Sequence, residues 1–272
     1  MVVPELIIRC GRKVERAIEH LKTLETRAEE FGKQHGRPGF QCVVEPNSQG
    51  TKILVKIDQP VEFPGVEWGI IIGDAVHCLR SALDQLVSGL WTDKTTSRTR
   101  FPICRTVREW IVDAPGMYWS VPPTYVASLD RAQPYHRGDK ENEHPLAVLN
   151  VLWNLDKHQT IPAVALTTEG MKIEAIGAEG FPGWEDLKFR THPGRALKQG
   201  TVLAEASFRE ADTEDNAKVD VEAHLSVGVA FGQIDKASVI SGKPVPRTFH
   251  DDLVPAVYDV LRDVLDVHRD SP

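Results

Sequence analysis

Apolar residues recur along this chain with two different periods, and the change between them divides the sequence. From Ile7 they fall at Cys10, Val14, Ala17, Leu21, Leu24, Ala28 and Phe31. Alternating steps of three and four place side chains on one stripe of an α-helix, and so narrow a seam suits a helix partner or a second copy of the chain. His35, Gly36, Arg37, Pro38 and Gly39 stop it, because glycine and proline break helices. Apolar runs over 40–44 and 53–57 then flank the turn-rich Pro46, Asn47, Ser48, Gln49 and Gly50, which predicts a β-hairpin closed by Pro60 and Pro64. A helix follows over 69–90. Pro115, Pro122, Pro123 and Pro134 cut the next stretch into short pieces, with a helical turn over 125–131, and Pro145 opens a helix over about 146–158.

Beyond Pro162 the period becomes two. Val219, Val221, Ala223, Leu225, Val227, Val229 and Phe231 alternate with Asp220, Glu222, His224, Ser226, Gly228 and Ala230, the pattern of a strand with one buried face. Val202, Ala204, Ala206 and Phe208 repeat it, and shorter strands are expected over 163–166 and 172–176. Leu253, Val257, Val260, Leu261, Val264 and Leu265 end the pattern on an amphipathic helix. The expected fold is α+β. Residues 1–161 form a helical bundle portion with a hairpin near 40–58, and residues 162–272 form an antiparallel sheet with a C-terminal helix. The boundary is soft and also admits one domain.

Composition narrows the functional classes. At 272 residues and 41% apolar side chains the chain can bury a sizeable core, and a net charge of −7 argues against a broad basic surface for nucleic acid. One local basic cluster stands out: Lys94, Arg98, Arg100, Arg105 and Arg108 against Asp93 alone. Cys10, Cys42, Cys78 and Cys104 have no metal-type spacing, and no apolar run reaches membrane length. With no signal-like segment either, the expected location is the cytoplasm, away from any membrane.

The candidate chemistry lies on the helix over 69–90. There Asp74, His77, Ser81, Asp84, Gln85 and Ser88 share an arc of roughly 100° on an otherwise apolar helix. A solvated helix face usually carries Lys and Glu; this one carries Asp, Ser and His, poorer helix formers whose short side chains allow close approach. Arg80 borders the stripe and can pair with Asp84 one turn on. On the helix over 146–158, Asn150, Asn154, Lys157 and His158 make a narrow polar seam. If the two seams pack together, Asp74, His77, Arg80 and Asp84 meet Asn154, Lys157 and His158. These are the candidate ligand-binding residues, and the plain alternatives are a solvent face or a buried structural hydrogen-bond network. Asp74 with His77, and Glu141 with His144, have the i, i+3 spacing of di-iron bundles but lack the further inward carboxylates, so no metal ligand is assigned and the cofactor is left open. Phosphate-loop, nucleophile-elbow and HExxH motifs are missing from the sequence.

The stretches GDAVHCLRSALDQL (Gly73 to Leu86) and NLDKHQTI (Asn154 to Ile161) resemble signature segments of a family of uncharacterised bacterial proteins. In that family the helix often reads Arg-Ser-Ala-Leu-Asp-His, which is similar to the motif of HEPN-type ribonucleases and nucleotide-binding domains, an arginine followed four to six residues later by a histidine. Here Gln85 stands at the place of that histidine, and a glutamine cannot act as general acid or base. Arg131 with His136, Arg137 with His144, and Arg262 with His268 also satisfy the spacing, about as often as chance placement gives. The expectation is therefore a module that binds a polar ligand, a nucleotide or RNA end, and associates into a homo-oligomer through its helices. The alternatives are a degenerate HEPN-like ribonuclease, a metal-dependent hydrolase, or a structural protein that dimerises.

Overall fold

A computed structural model describes residues 3–34, 40–47, 50–58, 62–92, 99–179, 184–208 and 218–270. The helix stop at 35–39, turn residues Ser48 and Gln49, Pro60, and the loop residues Asp93, Lys94 and Arg98 lie outside the described residues. The fold is α+β. Its helices are α1 (Val3–Gln34), α2 (Gly65–Leu90), α3 (Pro115–Tyr118), α4 (Pro123–Arg131), α5 (Pro145–Asp156), α6 (Val245–Thr248) and α7 (Val254–Asp270). Its strands are β1 (Phe40–Asn47), β2 (Gly50–Ile57), β3 (Ala163–Thr167), β4 (Lys172–Glu179), β5 (Arg190–Thr191), β6 (Val202–Phe208), β7 (Lys218–His224) and β8 (Val227–Phe231).

The chain divides into two compact units, and neither is continuous in sequence. A helical unit takes residues 1–24, 66–162 and 231–272, and a strand unit takes 25–65 and 163–230. The pattern change at Pro162 coincides with one crossing between them. The expected division into 1–161 and 162–272 differs at both ends, because the hairpin belongs with the strands and the C-terminal helix with the helices. The physical reason is partnering. β2 completes its hydrogen bonding on β6, with Ile53 opposite Ala206 and Val55 opposite Ala204, and α7 buries Val257, Val260, Leu261 and Val264 within the helical unit.

In the strand unit, the order β1-β2-β6-β5 makes one antiparallel sheet, and β3-β8 and β4-β7 form two further ladders. Among the described residues the single expected sheet is thus three small ones, with the hairpin contributing to the largest. The long alternation over 219–231 breaks in two at Leu225 and Ser226, because β7 pairs with β4 while β8 pairs with β3. Both partners break together, where the Thr168 N–H donates to the Ser226 carbonyl at 2.9 Å. Ile53, Ala206 and Val219 form a buried cluster against which Trp184, Leu187 and Phe189 pack.

In the helical unit, α1 lies against α2. Leu6 fills the space beside Gly89, and Arg16 comes within electrostatic reach of Cys78 and Asp74, so the two helices run antiparallel. The α1 seam is buried from Cys10 to Leu24 in this unit and at Ala28 and Phe31 in the strand unit, although Ile8 on its flank is exposed. α4 packs on α7 through Tyr125, whose hydroxyl meets His268 Nδ1 at 3.2 Å, and through Arg131, 3.9 Å from Asp263. His268 is thereby held against α4.

Candidate ligand-binding site

Two glycines set the site. On α2, Gly69 and Gly73 are one turn apart and both are buried. A Cβ at Gly73 would overlap the Asp156 carboxylate, and one at Gly69 would overlap the Ile161 carbonyl and the Thr160 methyl. Only glycine admits so close an approach of chain to helix. The end of α5 and the segment after it are thereby laid on α2, and Trp153, one turn back along α5, comes to Arg80.

Arg80 is 2% exposed. Its Nη2 donates to the Phe101 carbonyl at 2.6 Å and lies 2.9 Å from Asp84 Oδ1. The same Asp84 oxygen accepts the Phe101 N–H at 2.8 Å. Arg80 and Asp84 thus clasp both backbone groups of Phe101, whose side chain is fully buried. The Nε and Nη1 of Arg80 are also buried, and neither has a hydrogen-bond partner among the described residues. Over Trp153 the guanidinium carbon stands 4.9 Å and Lys157 Nζ 2.9 Å from the ring centroid, two cation–π contacts on one indole.

Beside this arrangement opens a cleft of about 260 Å³. α2 lines it with His77, Arg80, Ser81, Asp84, Gln85 and Ser88, and Thr99 and Trp153 also line it. Gln85 Nε2 donates to Ser81 Oγ at 3.4 Å, while its buried Oε1 has no partner among the described residues. Positive charge converges here. Burial foremost lowers the Arg80 pKa, Asp84 opposes the shift and Arg100 adds to it. The Lys157 pKa is likewise lowered, first by burial and then by Arg80 and Arg100, with Asp84 opposing. Where the end of α5 meets Gly73 of α2, burial raises the Asp156 carboxyl pKa, Asp74 adds to the shift and His77 opposes it.

The sequence-derived residues therefore separate. His77, Arg80 and Asp84 line the cleft, Lys157 caps the Trp153 ring, and Asp74 is exposed beside Asp156. Asn154 and His158 are exposed; Lys157 Nζ reaches Asn154 Oδ1 at 3.5 Å, and His158 lies beyond the last residue of α5. α5 faces α2 with Trp153 and Asp156 instead of the expected seam of Asn154 and His158. The helix ends two residues short of the expected point, and the His158 N–H donates to the Leu155 carbonyl three residues back at 3.0 Å. Trp153 and Asp156 were missed because an indole in an apolar helix reads as core. The signal that could have found them is Gly69 and Gly73, spaced for a close crossing.

Glu141 and His144 are occupied locally. His144 Nδ1 accepts the Leu146 N–H at 3.1 Å as the N-cap of α5, and Glu141 accepts from Asn142 at 2.8 Å. Burial above all, with Arg137 and His136 adding, pushes the His144 pKa down to about 4. Among the described residues no group of three or more His, Cys, Asp or Glu side chains is arranged to hold a metal ion, and no described helix is long and apolar enough to cross a membrane. Compared with protein-family models, curated proteins and solved structures, the chain finds no match.

Proposed function

We propose that the chain is a cytoplasmic binding module whose cleft beside α2 holds a polar, anionic ligand, a nucleotide or an RNA end. The supporting observation is Arg80, a cation 2% exposed, with Nε and Nη1 unpartnered among the described residues at the wall of a cleft. Leaving a buried donor unmade costs about 1–3 kcal/mol, and more when the group is charged. A purely structural network would close such donors internally. A ligand oxyanion that draws the guanidinium toward the cleft would close them with charge-assisted hydrogen bonds instead. Lys157, over the ring of the lining residue Trp153, adds charge, and hydroxyls of Ser81 and Thr99 add donors.

Binding is favoured over catalysis by Gln85, which sits in the cleft where the HEPN-like motif has its histidine and exchanges no proton. Residual ribonuclease chemistry would fall to His77. Thermal-shift titration with nucleoside monophosphates and short RNA tests the reading. A ligand is expected to raise the melting temperature of the wild type and of His158→Ala alike, and that of Lys157→Ala less. No shift with any of these ligands contradicts it. RNA cleavage that disappears in His77→Ala would favour the ribonuclease alternative.

A further inference from the structure

Resting on that reading of the cleft, we infer that it recognises a terminal phosphate monoester, gripped by Arg80 and Lys157 beside Gln85, while the nucleoside or chain that bears it stays outside. Four observations carry this. The first is size. About 260 Å³ lies just under the ~300–1,000 Å³ usual for pockets that enclose a whole small-molecule ligand. A head group fits in that volume, and the rest of a nucleotide would extend out of the cleft.

The second is charge. Arg80 and Lys157 share the Trp153 ring, and Arg100 is close enough to bear on both. Asp84 is the carboxylate among the lining residues, and its Oδ1 is already shared by Arg80 and the Phe101 N–H. A monoester carrying about −1.5 to −2 at neutral pH answers two cations better than a singly charged diester. The third is the indole itself. Both cations stand over Trp153, so a base stacking there would have to displace Lys157 from 2.9 Å.

The fourth is the number of unmade donors. Arg80 Nε and Nη1 both seek acceptors. A monoester brings three terminal oxygens where a diester brings two, and its second ionisation near pH 6 gives those oxygens the charge that two cations favour. Gln85 adds a neutral amide to the cleft where the similar motif has a histidine.

Calorimetric titration of the full chain tests this with inorganic phosphate, a nucleoside, its monophosphate, and one oligoribonucleotide carrying either phosphorylated or hydroxyl ends. Inorganic phosphate should bind and compete, and removal of the terminal phosphate should weaken the other ligands about tenfold or more. Lys157→Ala, an exposed site, should weaken phosphate binding about fivefold to tenfold while the ligand-free chain still melts cooperatively. Arg80→Lys should weaken it further if it folds. Binding of the monophosphate alone identifies free nucleotide as the source, and binding of phosphorylated RNA alone identifies an RNA end; either supports the inference. Equal affinity for hydroxyl and phosphorylated ends overturns it and leaves the cleft as a nucleotide or RNA site. If nothing binds, both fall.

Discussion

Arg80 is a cation held out of water by one carboxylate and one carbonyl, which makes the pair expensive to break. Removing one partner of a buried pair costs about 3–5 kcal/mol, and the 29% exposure of the Asp84 side chain places Asp84→Ala at the lower end, about 3 kcal/mol, by urea denaturation. Asp84→Asn keeps an oxygen for the Phe101 N–H and should lose less. His144 gives the pH dependence. Its pKa falls from the usual 6.5 to about 4, so the unfolded chain takes up the proton first as the pH drops. Its contribution to stability is therefore complete above about pH 6.5 and is lost as the pH falls toward 4. His144→Asn keeps a capping acceptor for Leu146 without titrating there, so its melting temperature should decline less than the wild type's across that window. At this scale the sequence shows the Arg80 and Asp84 pair through its i, i+4 spacing. It hides Trp153, because a cation–π contact needs two helices brought together before it can be recognised.

α2 shows how one helix serves two faces. Its apolar residues Ile72, Val76, Leu79, Leu83 and Leu86 are buried, while its polar stripe walls the cleft. Gly69 and Gly73 decide where α5 can lie. An alanine usually stabilises a helix by up to about 1 kcal/mol over glycine. At Gly69, however, the new Cβ meets backbone, which cannot swing aside, so Gly69→Ala should destabilise by about 1–3 kcal/mol on chemical denaturation. Gly73→Ala meets the Asp156 carboxylate, a side chain that can rotate, and should cost less. The existence and type of these helices were legible from period alone. Their ends were not: α2 starts at Gly65 and α5 stops at Asp156, since both termini are set by packing and capping that periodicity does not record. The unbroken alternation over 219–231 likewise concealed the jump from β7 to β8, which depends on the partners each strand finds.

Across the whole chain, the two units are assembled from alternating stretches of sequence, so the α+β class was readable while the partition was not. Hydrophobic pattern reports which face is buried, not which distant segment buries it. A consequence is that residues 163–272 alone would leave the β6 edge without β2 and α7 without the rest of its unit. That fragment is expected to show no cooperative thermal transition, in contrast to the full chain. The intact protein is also the molecule for the decisive measurement, the resonance of the Arg80 Nε–H followed by NMR during titration with a nucleoside monophosphate. Ligand oxygens closing that donor should shift the resonance and slow its exchange with water, saturably and less readily in Lys157→Ala. An Arg80 Nε–H that does not respond at saturating ligand would contradict an anion site in the cleft.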